Sequence, residues 1–327
     1  MAKAAIKKRA KKAAARKKSI KKSKANRKPA PKGPLYLTET DVQRLVTVKD
    51  AIATLELMFE TWRDPATINL PRQRAQIGRG SFNLMGAALG ASEIFGLKAY
   101  LGAPGGRFHV LLYSSRDGSL KAMIEADHLG RMRTGAASGL ATKILANQDA
   151  RTLGVIGGGR QALTQVAAVC AVRKIETVRV FTRTAEHRNA FAKEIERKLR
   201  VAAEPVTTGE AAIGDADVVI TITKSAEPVL RATVRATDQV AQARVEAGEY
   251  CDLVAAGRLQ WSDIVELGDI LTEKIPGRRG PHDITLYKSL GIALEDIAFA
   301  DLIWRRAVER GVGKAMPYGA GTRGKQE

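Results

Sequence analysis

Near the middle of a 327-residue chain, Gly157-Gly158-Gly159-Arg160-Gln161-Ala162 forms a G-x-G-x-x-A pattern. Gly157 would make a tight turn, Gly159 would let a pyrophosphate approach the backbone, and Ala162 would let a helix pack closely on a strand. The phosphates would rest on the helix N-terminus, where unpaired N–H groups attract anions. Alone, the pattern is equally a structural turn. Its context argues for a cofactor: the apolar run "TLGVIGG" precedes it, and a helical segment follows to about Val172. A second β-type run, "TVRVFTR", ends about 25 residues on, where a dinucleotide site selects its ribose. An NAD site has Asp or Glu there; this chain has Thr182, Arg183 and Thr184. Arg183 can pair with a 2′-phosphate and stack on adenine, which favours NADP(H), with NAD(H) the alternative. The plain reading is a surface arginine. Thr223, at the end of a further apolar run, is another candidate cofactor contact.

The elements that must position this turn fall into two textures. Before it, Thr38 is a candidate N-cap, and Ile52, Leu55, Phe59 and Trp62 recur at helical spacing. The β-type runs "SFNLMGAAL", "FGLKAYLG", "RFHVLLYSS" and "SLKAMIEA" follow, the last two flanking the hairpin signal Asp117-Gly118. Strands joined by tight turns predict an antiparallel sheet, closed by the helix "HLGRMRTGAASGLATKILA", whose small residues permit close packing. From Arg151 onward, "TLGVIGG", "TVRVFTR", "VAAEPVTT" and "DADVVITIT" alternate with helices, which predicts βαβ units and a parallel sheet. Near the end, Ile297, Ala300, Trp304 and Ala307 mark one face of a helix that Gly311 should stop.

Composition bounds the rest. Residues 1–33 hold 15 of the 54 Lys and Arg and none of the acids, leaving 39 bases against 34 acids. With few apolar residues this arm cannot offset its chain entropy and reads as disordered: a solvated tail, or a contact for nucleic acid or another polyanion. It lacks the apolar core of a signal peptide. No run suits a membrane helix. Two distant cysteines and four scattered histidines suggest neither disulfides nor a metal site, and fit a cytoplasmic protein.

"RMRTGAASGLATKILANQDARTLGVIGGGRQA" resembles the ornithine cyclodeaminase/mu-crystallin family, as do "INLPRQR", "GLKAY" and "ITLYKSLGIALEDIA" in the same order. The resemblance implies an α/β fold: a Rossmann-type parallel-sheet domain over residues 149–283, and an α+β substrate-binding and dimerisation domain over 35–148 and 284–319, after an arm of residues 1–34. It implies a homodimer with its site in the interdomain cleft. Arg72, Lys98 and Arg133 match positions that bind the substrate α-carboxylate, a role that suits fixed cations in a partly dry cleft. Lys98 also becomes a candidate catalytic acid/base if burial lowers its pKa. Lys288, Ser289 and Gly291 would lie by the nicotinamide; Ser289 could equally cap a helix.

Two departures qualify the resemblance. Ornithine-specific members carry a carboxylate just before a Leu-Met pair to receive the distal ammonium, whereas this chain has Asn83, a poor partner for a buried ammonium. After "DVVITITKSAEPVLRA", about 25 residues that would supply the fifth and sixth sheet strands and a catalytic Asp are missing, judged by the usual length of such units. The strand ending near Thr223 is expected to lose a neighbour. The implied activity is hydride transfer between NAD(P)(H) and the α-carbon of an amino or imino acid, with ketimine reduction preferred. The alternatives are ornithine cyclisation to proline with loss of ammonia, and a catalytically degenerate NADP-binding protein whose basic tail meets a polyanion.

Overall fold

A computed structural model describes residues 33–222 and 232–317. Thr223 and nearly all of the basic arm lie outside the described residues, as do the expectations attached to them. The chain opens with β1 (Leu35–Leu37), α1 (Glu39–Leu45) and α2 (Val48–Glu60). Thr38 caps α1 as expected: its hydroxyl accepts from the Asp41 N–H, while the Asp41 carboxylate accepts from the Thr38 N–H. Thr47 and Asp50 repeat this reciprocal box on α2, so two short helices form where a single cap was foreseen.

The next five strands run as a meander: β2 (Thr67–Ile77), β3 (Gly80–Leu89), β4 (Ile94–Gly102), β5 (Phe108–Ser114) and β6 (Leu120–Glu125). Asp117-Gly118 lies between β5 and β6, with Gly118 at φ +70°. The strand β2 was hidden in the sequence by Pro71 and its run of polar side chains. A bulge between Leu70 and Gln73 sets Pro71 and Arg72 together against Met85, and this irregularity both tolerates the proline and re-aims Arg72.

The helix α3 (Asp127–Leu145) leads into β7 (Thr152–Ile156), α4 (Ala162–Val172), β8 (Thr177–Phe181), α5 (Ala185–Leu199), β9 (Ala202–Pro205), α6 (Gly209–Ile213) and β10 (Val218–Thr221). These strands form a parallel sheet in the order β10-β7-β8-β9, a Rossmann-like arrangement. Its core is Leu153, Val155, Val166, Val178, Val180, Phe191 and Ile195. Among the described residues, β10 has no partner on its outer edge, the edge the short sequence predicts.

The chain then supplies β11 (Val234–Thr237), α7 (Val240–Glu246), α8 (Gly248–Ala255), β12 (Ile264–Glu266), α9 (Leu267–Leu271), β13 (Thr285–Lys288), α10 (Ala293–Arg310) and β14 (Lys314–Ala315). The order β12-β11-β13 makes a separate parallel sheet of three strands. The meander becomes seven-stranded, β14-β1-β6-β5-β4-β3-β2, because β1 joins β6 and β14 joins β1. On it lies α10, burying Ile297, Phe299, Ala300, Ile303 and Ala307, and stopping at Gly311 with φ +66°. Burying each large apolar side chain contributes roughly 1.5–3 kcal/mol. Val234 and Ala236 of β11 and Leu267 and Ile270 of α9 join this first core, although their sequence positions fall within 149–283.

Close helix packing couples the two halves. A Cβ on Gly135 of α3 would stand 2.5 Å from the Thr164 carbonyl oxygen of α4, and one on Gly139 would stand 2.9 Å from Ala168 Cβ. The small residues seen in the sequence therefore let α3 and α4 touch backbone to backbone.

Candidate active site

Antiparallel pairing places opposed residues on one face of a sheet. Across β2, β3, β4 and β5, the bulged Arg72 lies against Met85, which faces Lys98, which faces Val110. The neighbouring row on that face is Arg74, Asn83, Tyr100 and Phe108. Arg133 approaches from α3. Thus Arg72, Lys98 and Arg133, distant in sequence, are brought to one place.

Each cation is held. Lys98 Nζ donates to Asp296 Oδ1 at 2.9 Å, and Arg133 Nε donates to the same oxygen at 3.0 Å. Arg133 Nη1 also donates to Glu295 Oε2 at 2.9 Å. Arg72 donates to Glu246 Oε2 at 2.8 Å and to the carbonyls of Leu290 and Gly291, and its Nε meets Met85 Sδ at 3.4 Å. Lys98 is 3% exposed and Arg133 7%. The rings of Tyr100 and Phe108 lie 5.7 and 5.6 Å from the Lys98 ammonium.

Burial depresses the Lys98 pKa below the ordinary lysine value, and Asp296 offsets only part of that effect. Burial acts to raise Asp296, but Arg133 and Lys98 outweigh it and keep this carboxyl below its usual range. Burial first, and then the charge of Asp238, push the Glu295 carboxyl well above the usual range, although Arg133 acts the other way. The three cations thus converge with three acidic side chains, Glu246, Glu295 and Asp296. Asp296 Oδ2, Glu295 Oε1 and Gln242 Oε1 are buried without a hydrogen-bond partner among the described residues. Such acceptors are costly unless a donor arrives.

The glycine turn has the shape a pyrophosphate needs. Gly157 sits at φ +103°, and a Cβ there would stand 2.5 Å from the Ile222 carbonyl oxygen. A Cβ on Gly158 would press on Thr182 and His187. At Gly159 an added Cβ would meet nothing within 4 Å, so the turn is open where phosphate would approach. Ala162 is buried at the start of α4, and Gln161 occupies the N-cap position. Arg160 points across to the other half, pairing with Asp127 and lying 5.1 Å over the Phe108 ring. Past β8, Thr182 is buried and donates to the Thr184 carbonyl, while Arg183 and Thr184 are exposed. Arg188 donates to the Thr182 carbonyl at 2.9 Å, adding a second guanidinium at this strand end.

The segment before α10 differs in detail from the expectation. Lys288 Nζ pairs with Glu249 at 2.7 Å. Ser289 does not cap the helix: α10 begins four residues later, with Ile292 in the N-cap position and no side-chain cap. Gly291, at φ +74°, leaves room that Arg133 fills, since a Cβ would stand 2.3 Å from its Nη1. Asp238 accepts from the N–H groups of Leu290 and Gly291 and from the Tyr287 hydroxyl, fixing this backbone beneath Arg72 and Arg133. Asn83 is outside the cation cluster, in the adjoining row: its Oδ1 accepts from Arg74 Nε at 3.0 Å, and its amide donates to Ser81.

Sequence reasoning missed Asp238, Glu246, Glu295, Asp296, Arg74 and Arg188. The acidic pair in "ALEDIA" was visible but unassigned. Arg74, two residues from Arg72, carried the β-period as its only signal.

The chain matches the ornithine cyclodeaminase/mu-crystallin family over residues 33–264 and again over 229–311, and belongs to that family. It is 30% identical to a Delta(1)-pyrroline-2-carboxylate reductase of Bacillus cereus, covering 87% of this chain and 100% of the relative. Among solved structures it is similar to the Delta(1)-pyrroline-2-carboxylate reductase of Thermococcus litoralis in complex with NADH and L-proline. That match has a TM-score of 0.81 at 29% identity, over 86% of this chain and 100% of the other. It also resembles the iminosuccinate reductase of Paracoccus denitrificans in complex with NAD+, with a TM-score of 0.78 at 25% identity, over 86% and 99% of the two chains.

Proposed function

We propose that the protein is an NADP(H)-dependent reductase of imino acids, moving hydride between the nicotinamide and the substrate α-carbon. The observation that carries this reading is the convergence of Arg72, Lys98 and Arg133 on one sheet face, joined to an open glycine turn through the α3–α4 contact. Two reductases among the relatives are named for cyclic or dicarboxylic imines, which supports imine reduction over ornithine cyclisation. Asn83 supports it too, since no carboxylate awaits a distal ammonium there.

The bound nicotinamide supplies the hydride. Gly157, Gly158, Gly159, Arg160, Gln161 and Ala162 hold the pyrophosphate, with Thr182, Arg183 and Thr184 around the ribose phosphate. Arg72 and Arg133 fix the substrate carboxylate and orient its α-carbon. Lys98, its pKa lowered by burial, also touches that carboxylate and gives or takes a proton at the imine nitrogen. Lys288, Ser289 and Gly291 border the nicotinamide. Residues 149–283 serve the cofactor, while 35–148 and 284–319 serve the substrate. Two copies pair through the outer faces of β2, β3 and β4, where Ile68, Leu70, Phe82, Leu84 and Leu101 are exposed.

The test is steady-state NADPH oxidation with cyclic imines and with α-keto acids plus ammonium. Turnover dependent on Lys98 supports the proposal. Tight NADPH binding without turnover on any imine would favour a binding protein instead.

A further inference from the structure

Resting on that reading, we infer that Glu246 is a specificity-determining residue: its carboxylate competes with the substrate α-carboxylate for Arg72, so that binding exchanges one for the other. The donors of the three cations lead to this. Arg72 spends Nε on Met85 Sδ, Nη2 on the Leu290 and Gly291 carbonyls, and one hydrogen of Nη1 on Glu246 Oε2. A single hydrogen of its five remains, so no two-pronged fork is left for a carboxylate. Among the described residues Arg133 uses only Nε and Nη1, and Lys98 uses one of its three hydrogens. Those two can meet an anion as they stand. Arg72 cannot until Glu246 lets go.

Charge also calls for an exchange. Each cation already has an acidic partner: Arg72 has Glu246, Lys98 has Asp296, and Arg133 has Glu295 and Asp296. A further carboxylate adds like charge to this cluster unless one acid withdraws. Glu295 and Asp296 are 0% exposed on α10, a helix of 18 residues whose next residues Ile297 and Phe299 are sealed in the core. They have nowhere to go. Glu246 is the last residue of α7, a helix of seven residues, and its side chain is 13% exposed. Of the three acids it is the one with water to withdraw into.

The Glu246 contact is also held at a cost. One turn earlier on α7, the fully buried Gln242 donates from Nε2 to Glu246 Oε2 at 3.2 Å and to the Gly291 carbonyl at 3.3 Å, the same two acceptors that Arg72 uses. Both neighbours accept, so the amide nitrogen must face them, and Oε1 is left buried without a partner among the described residues. That orphaned acceptor offsets part of what the Arg72–Glu246 pair contributes. When Glu246 withdraws, the amide loses one of its two acceptors and can turn its oxygen toward Arg72. A carboxylate that also reaches Lys98 and Arg133 opposes three cations to the single one that Glu246 holds, and so displaces it. A neutral imine brings no charge to do so.

The test titrates pyruvate, as a carboxylate probe, into the full-length NADP+-saturated protein as wild type, E246Q, R72M and the R72M/E246Q double variant. E246Q should bind pyruvate about 3- to 30-fold tighter than wild type, and this gain should vanish between R72M and the double variant. In NADPH oxidation with a cyclic imine, E246Q should lower KM by more than it lowers kcat. If E246Q leaves pyruvate affinity unchanged or weakens it while R72M weakens it, Glu246 only steadies Arg72; the inference is overturned and the proposed function stands. If the gain appears and depends on Arg72 but no imine turns over, the activity fails and the exchange stands. If R72M leaves pyruvate affinity unaltered, Arg72 holds no carboxylate and both fall.

Discussion

A single oxygen, Asp296 Oδ1, receives both Lys98 Nζ at 2.9 Å and Arg133 Nε at 3.0 Å. One carboxylate on α10 thus fixes a cation from β4 and a cation from α3, and welds the helix to the sheet at the site itself. The pKa of its neighbour Glu295 is pushed up and that of Asp296 down, because Asp296 faces two cations whereas Glu295 faces one cation and further acids.

That difference predicts unequal effects from the two isosteric amides. D296N leaves two buried cations without their shared anion and should cost about 3–5 kcal/mol in denaturant unfolding. E295Q replaces a carboxyl whose charged form burial disfavours by a neutral amide and should cost less than about 1.5 kcal/mol. Equal losses would show that Glu295 is ionised.

Lys98 predicts an alkaline limb. In the proposed role it acts as the ammonium, and burial lowers its pKa, so activity should be present below that depressed value and lost as pH rises through it. The limb in kcat should fall below the ordinary lysine value of 10.5. In K98R any residual activity should lack the limb, since guanidinium does not titrate there. A limb that persists unchanged in K98R belongs to another group.

The glycines should separate folding from binding. G157A forces a Cβ into the Ile222 carbonyl at positive φ and should destabilise the protein by at least about 1–3 kcal/mol. G159A meets open space, so Tm should stay within a few degrees while NADPH affinity falls about tenfold or more. Unaltered NADPH binding by G159A would place the phosphates elsewhere.

Arg183 should set cofactor choice. R183E should lower NADPH affinity by about 10- to 100-fold and leave NADH binding within a few fold. Calorimetric titration of both nucleotides gives the ratio. A wild-type affinity for NADH equal to that for NADPH would contradict the assignment.

The elements whose apolar period was regular were legible in the sequence: α2, α3, α10, the meander from β3 to β6, and the parallel strands β7 to β10. β2 was not, because Pro71 breaks the propensity signal and only the bulge opposite Met85 accommodates it. The cations Arg72, Lys98 and Arg133 were found through a family resemblance, yet their counterions were not. Asp296 and Glu295 sit about 160 to 200 residues from the side chains they meet, and nothing in a linear pattern pairs such groups. Ser289 looked like a cap by residue type, but Gly291 at φ +74° delays the helix until Ala293.

The most direct test of the account is deuteride transfer from NADPH deuterated at the nicotinamide C4, read by mass spectrometry on the amino acid formed from an imino acid. The account predicts one deuterium on the product α-carbon with wild-type protein and none when Lys98 is replaced by methionine. Saturating NADPH with every imine supplied and no deuterium in any product would contradict it.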